Sequence, residues 1–199
     1  PTTDVRQRIL DEATHLFAVQ GFEGTSLQEL SDAVGIRKPS LLYHFNSKDT
    51  LREAVVEGLL SHWKGEIPRL LAAAQGGHDR FSALIEAVVE FFTSDANRAR
   101  LVLREILDRP EATEERIREH LSPWTSLITE AIRLGQESGR VKLDVDPEAY
   151  LLQVVFMALG TVAVGDVAEA MLPANAAASS LEQRIAELVR IARDSLFVS

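Results

Sequence analysis

Apolar side chains recur along this chain at steps of three and four residues and nowhere in sustained alternation, a pattern that predicts helices and no strand. Val5, Ile9, Ala13, Leu16 and Phe17 line one side of a first helix, which Gly21 ends because glycine tolerates the positive φ of a helix terminus. Thr25 or Ser26 caps a short second helix, and Gln28 or Glu29 can close a capping box with either. That helix turns Leu27, Leu30 and Val34 inward, and Gly35 stops it. A third begins near Pro39, where a missing N–H costs nothing in the first turn.

Asn46 or Ser47 then caps a longer fourth helix carrying Leu51, Val55 and Leu59, which is expected to end at Pro68. Gly76 and Gly77 read as a loop before a helix with Phe81, Leu84, Ile85, Val88 and Phe92. Asn97 to Leu107 is helical until "DRPEAT" breaks it, and Ile117 to Gly135 forms a long helix that Pro123 kinks or splits. In "GRVKLDVDPEAY", Asp146 caps a helix and Pro147 opens it; from Ala149 to Val164 that helix is apolar on nearly all sides. A last helix repeats at Leu181, Ile185, Leu188, Ala192 and Leu196, after "ANAAASS" (174–180), which reads as a mobile loop. The sum is an all-α protein of about nine helices.

Composition narrows what such a protein does. With 199 residues, 46% of them hydrophobic, the chain buries a substantial core. It has no cysteine, which excludes disulfides, thiolate metal sites and thiol nucleophiles and fits a reducing cytoplasm. The most apolar stretch, Leu151 to Gly165, is interrupted by Gln153 and Thr161 and falls short of the roughly 20 residues that cross a membrane, so no membrane is expected as partner. A net charge of −9 argues against a surface that coats nucleic acid everywhere, while leaving room for a local contact face. Residues 1–48 carry 5 Lys and Arg against 6 Asp and Glu; the remaining 151 carry 16 against 24. The negative charge is therefore concentrated away from the amino-terminal helices.

Those helices hold the candidate chemistry. Two short helices joined around Gly35-Ile36 have room only for the tight crossing of a helix-turn-helix. On the second, Leu41 and Phe45 lie one turn apart and share the buried side, whereas Ser40, Tyr43 and His44 follow the i, i+3, i+4 spacing on a side facing water. Arg37 and Lys38 sit at its amino end, where the helix dipole favours an anion, and Lys48 opens the next helix. Cations and helix amino termini hold phosphates, and hydroxyl, phenol and imidazole groups reach base edges or the backbone.

The stretch "GFEGTSLQELSDAVGIRKPSLLYHFNSKDTL" resembles the DNA-binding domain of TetR-type transcriptional regulators, the tetracycline-repressor family. The resemblance rests on Ala33, Gly35 or Val34, Leu41, His44, Phe45, Lys48 and Leu51 and covers roughly Val5 to Val55. It departs at the family's usual tyrosine position, which holds Leu42 here, with Tyr43 following. The resemblance implies that Thr25, Ser26, Gln28, Arg37, Lys38, Ser40, Tyr43, His44 and Lys48 contact DNA. It also implies a helix-turn-helix domain over 1–46, a connecting helix over 47–65, and an effector-binding and dimerisation domain over 66–199. The protein implied is a regulator, by default a repressor, that binds a palindromic operator as a homodimer and leaves it when a small molecule binds.

For the effector, the candidate residues are Trp63, Phe91, Phe92, Trp124, Phe156 and Met157, with Arg104, Glu105 or His120 as polar anchors. An all-round apolar helix asks for burial on two sides, so Val155, Leu159, Gly160 and Ala163, with Leu181, Ile185, Leu188 and Ala192 of the last helix, are the expected dimer contacts. Five histidines are scattered without metal-ligand spacing, and no cofactor is called for. The rival readings are a helical small-molecule carrier or enzyme without DNA binding, or a scaffold for other proteins. The first would need paired carboxylates or a nucleophile with its base; the second leaves the Lys38–Lys48 cluster without a purpose.

Overall fold

A computed structural model describes residues 4–73, 77–173 and 180–198; within these, the side chains at 63, 66, 67, 69–73, 77–84, 166 and 168 lie outside the description. The described residues form eleven α-helices: α1 (Val5–Gln20), α2 (Leu27–Val34), α3 (Lys38–His44), α4 (Lys48–Ala73), α5 (Gly77–Thr93), α6 (Ala96–Asp108), α7 (Pro110–His120), α8 (Ser122–Glu137), α9 (Pro147–Ala163), α10 (Gly165–Ala168) and α11 (Leu181–Leu196). A 3-10 turn spans Glu169–Met171.

The helix boundaries follow local chemistry. Ser26 caps α2 reciprocally: its Oγ accepts from the Glu29 N–H at 3.1 Å and the Glu29 carboxylate accepts from the Ser26 N–H. Gly35 ends α2 in the left-handed region at φ 76°. Ser47 and Thr50 cap the start of α4 in the same reciprocal way, each side-chain oxygen accepting the other's backbone N–H. Asp146 accepts from Ala149 N–H at 2.8 Å, with Pro147 as the first residue of α9.

Two boundaries differ from the sequence expectation, and proline accounts for each. Pro68 does not end α4, which runs on to Ala73; a proline removes one N–H, but its fixed φ is helical, so the chain loses a hydrogen bond without leaving the helix. Pro110 breaks less than expected, because it begins α7 directly after Arg109. The split expected at Pro123 is present, with Leu121 between α7 and α8 and Pro123 in the first turn of α8. The short α10 was not signalled by any periodicity. An isolated antiparallel bridge pairs Val141 with Phe197, and Tyr150 Oη donates to the Ala192 carbonyl at 2.7 Å, fastening the carboxy-terminal segment to the turn before α9 and to α9 itself. The loops expected at 76–77 and 174–180 fall largely outside the described residues.

Packing of the amino-terminal helices positions the candidate site. Ile9, Ala13, Leu16 and Phe17 of α1 meet Leu30 and Val34 of α2, Leu41 and Phe45 of α3, and Leu51 and Val55 of α4 in one buried cluster. Leu101, from α6, is buried in that same cluster. The head is thus completed by a residue of α6, well beyond the start of its last helix at Lys48. A second cluster gathers Phe91, Phe92, Ala99, Leu159, Val162 and Ala163, and a third joins Ile85, Val89, Val154, Ala158, Leu188 and Ala192.

Replacing Leu101 with Ala should destabilise the chain by about 2–5 kcal/mol, the usual range for truncating a closely packed leucine. Urea unfolding measures it; a loss below about 1 kcal/mol would mean that α6 only brushes the head.

Candidate nucleic-acid interface

The third helix is a short rod pinned from below. Leu41 is fully buried and Phe45 nearly so, while Tyr43, on another side, is 85% exposed. His44 is half-buried and meets the Tyr43 ring edge-on, with ring centres 5.4 Å apart. Ser40, Arg37 and Lys38 are exposed around the amino end of the rod. The helix-turn-helix crossing is held by Arg8 of α1, whose guanidinium donates to the Val34 carbonyl at the end of α2. Arg6 lies over the Phe45 ring at 5.1 Å. The exposed hydroxyl, phenol and cations therefore stand on a backbone that the core holds in place.

Ser26 and Gln28 are exposed at the start of α2; Gln28 donates to Asp32 at 2.9 Å. Thr25 differs from expectation. It is 2% exposed, and its hydroxyl donates to the Gly21 carbonyl at 2.9 Å, closing the α1–α2 turn instead of facing outward. Lys48 is also engaged within the chain: its ammonium donates to the carbonyls of Phe22 at 2.7 Å and Thr25 at 3.0 Å and sits 4.2 Å above the Phe22 ring. An ammonium has three donors, and these two carbonyls occupy two of them.

The expected effector set is only partly brought together. Phe91, Phe92 and Trp124 meet in the second core cluster, and Met157 packs against the third. Phe156 is 51% exposed and turns away from both. Arg104 reaches the head instead: it donates to the Ala18 and Val19 carbonyls at 2.9 and 3.2 Å, capping the end of α1. Glu105 forms a buried ion pair with Arg52 at 2.6 Å. His120 lies 3.4 Å from Glu57 on the flank of α4. The Trp63 side chain is outside the described residues. A cavity of about 260 Å³ opens along the seam of α1 and α4, lined by Phe91 with Leu10, Thr14, Gly58, His62 and Arg98.

The dimer set needs the same correction. Leu159, Ala163, Leu188 and Ala192 are buried inside the subunit's own core, so they have no surface to offer a partner. Val155 is exposed, and Gly160, Leu181 and Ile185 are partly so. Leu152, Phe156 and Ile191, which the sequence reading did not assign to this role, are exposed. Helical spacing could have placed Leu152 and Phe156 on one side, but a helix apolar all round carries no polar stripe to say which side is outer. Among the described residues, no group of three or more His, Asp or Glu is arranged to hold a metal ion, and no helix is long and apolar enough to cross a membrane.

A pinned short helix with an outward phenol, behind a capped helix and a tight glycine turn, defines a helix-turn-helix protein. Comparison with known proteins agrees over nearly the whole chain. Residues 9–55 match "Bacterial regulatory proteins, tetR family", and residues 78–191 match "Tetracyclin repressor-like, C-terminal domain". The HTH-type transcriptional repressor KstR2 of Rhodococcus jostii is 25% identical over 146 residues, covering 72% of this chain and 71% of that protein. The HTH-type transcriptional activator FasR of Mycolicibacterium smegmatis is 26% identical over 141 residues, covering 70% of this chain and 63% of that protein. In fold, the ketosteroid transcriptional regulator KstR2 of Mycobacterium tuberculosis superposes with a TM-score of 0.73 at 18% identity, over 100% of this chain and 98% of that one. The chain belongs to the tetR family of bacterial regulatory proteins.

Ser26→Ala removes the cap of α2 and should cost about 0.5–2 kcal/mol in urea unfolding. An unchanged midpoint would show that the α2 terminus is held by its surroundings and not by the hydroxyl.

Proposed function

We propose that this chain is a ligand-responsive transcriptional repressor that binds a palindromic DNA operator as a homodimer and is released by a small-molecule effector. The observation that carries the reading is the outward Tyr43 on a helix whose other side is locked into the core by Leu41 and Phe45. In the proposed complex α3 enters the major groove, with Tyr43, Ser40 and His44 toward base edges and sugar. Arg37, Lys38, Ser26, Gln28 and the remaining donor of Lys48 meet phosphates. Thr25 acts from beneath, by shaping the turn that leads into α2. Two such heads on a twofold dimer would reach successive major grooves, about 34–36 Å apart.

The dimer in this proposal uses the outer side of α9. Leu152, Val155 and Phe156 there, and Ile191 on the neighbouring α11, are apolar side chains left in water by the single subunit. The effector would enter the aromatic interior around Phe91, Phe92 and Trp124, where α5, α6 and α9 meet. To move the population from 99:1 bound to 1:99, it must favour the released arrangement by about 5.5 kcal/mol.

Two measurements test this reading. Duplexes selected from a random pool should bind with an affinity that falls steeply with salt, the log–log slope being about −0.9 per phosphate neutralised. Tyr43→Ala should weaken the selected operator by about 1–3 kcal/mol while leaving random duplex binding nearly unchanged; equal losses on both would take the phenol out of base recognition. For the dimer, Phe156→Glu should yield a folded monomer by light scattering, and retention of the dimer mass would remove this side of α9 from the interface. Leu159→Glu, which buries a charge, should unfold the chain instead.

A further inference from the structure

Two neighbouring residues of α6 reach in different directions into the head. Arg104 caps the last carbonyls of α1, and its guanidinium leaves no spare room at Gly21: a Cβ there would stand 3.1 Å from Arg104 Nη1. Glu105 pairs with Arg52 of α4, both side chains being buried. The Arg52 guanidinium lies 4.5 Å from the centre of the Phe22 ring, and the Lys48 ammonium 4.2 Å from the same centre. Lys48 then ties down the carbonyls of Phe22 and Thr25, one residue before the Ser26 cap of α2. The α1–α2 turn is therefore gripped from both flanks, by Arg104 directly and by Glu105 through Arg52, Phe22 and Lys48.

We propose that Glu105 and Arg52 are positioning residues for DNA binding, setting the place of Lys48 and of the amino terminus of α2 through the Phe22 ring. The physical basis is the cost of the pair. A guanidinium and a carboxylate removed from water hold each other only in good geometry, and a lone partner left buried is strongly unfavourable. The pair thus has few acceptable arrangements, and any shift of α6 obliges Arg52 to follow Glu105 or lose it. Arg52 cannot move without changing what the Phe22 ring rests on. A displacement of α6 is delivered in this way to the turn that presents Ser26, Gln28 and Lys48. The inference rests on the repressor reading for its consequence on DNA, but its structural half does not.

The test uses the full-length chain and three variants: Glu105→Gln, the double variant Arg52→Met/Glu105→Leu, and Phe22→Leu. Amide hydrogen exchange over residues 22–30 is the readout independent of DNA. It should quicken about tenfold in all three, with the Ile9–Leu16 amides unchanged. Binding to the selected operator should fall by a similar factor in all three. The double variant carries the decision, because replacing a buried ion pair with apolar side chains commonly restores or raises stability. It should regain the parent's urea midpoint and still bind the operator weakly. If it regains both midpoint and operator affinity, the pair is only packing and the proposal is overturned. Unchanged exchange over 22–30 in Glu105→Gln would overturn it as well, with or without an operator. A parent chain that selects no duplex while the exchange result holds would defeat the repressor reading and leave the relay from α6 to the turn standing.

Discussion

Seven residues do not hold a helix in water unaided, since nucleation costs more than so few hydrogen bonds return. The seven of α3 are held because Leu41 and the following Phe45 are buried among α1, α2 and α4. Each such burial contributes about 1.5–3 kcal/mol, and that anchorage alone decides which way Tyr43 points. Everything proposed for the exposed side depends on the grip of the hidden one. The outer surface of α3 has its orientation set by its reverse.

The grip is not local to the head. Leu101 completes the cluster from α6, Arg104 caps α1, and Glu105 reaches α4. Three side chains within five residues of one helix supply a core contact, a cap and an ion pair, which are different kinds of force with different tolerances. Apolar contact slides at little cost, whereas a guanidinium on carbonyls and a buried carboxylate pair are directional. The contact of α6 with the amino-terminal helices therefore has a soft centre at Leu101 and two directional points at Arg104 and Glu105.

Elements whose determinants are close in sequence were legible: the caps at Ser26, Gly35 and Asp146, the glycine at 21, and the buried and exposed sides of α3. Prolines were readable as events but not as outcomes. Pro68 and Pro110 each fit a helix interior or a helix start, and the difference is decided by what packs around them. The sides of α9 were illegible for the opposite reason: with apolar residues everywhere, only tertiary packing sorts Leu159, which is inward, from Phe156, which is outward. Arg52 and Glu105 lie 53 positions apart, and nothing in either neighbourhood announces the other. Thr25 shows the remaining difficulty, since a hydroxyl before a helix reads equally as a contact or as a fastening, and here it is the fastening.

The capping of α1 by Arg104 has a consequence for how the head is to be thought of. A helix end carries partial negative charge on its unpaired carbonyls, and here the neutralising cation belongs to the other domain. Excised at the end of α4, the amino-terminal segment would keep Gly21, whose N–H donates to the Phe17 carbonyl, but lose the guanidinium that covers the carbonyls of Ala18 and Val19. The boundary drawn by homology therefore cuts through one of the hydrogen-bonded ends of α1, whose last carbonyls are satisfied partly by Gly21 and partly by a side chain of α6.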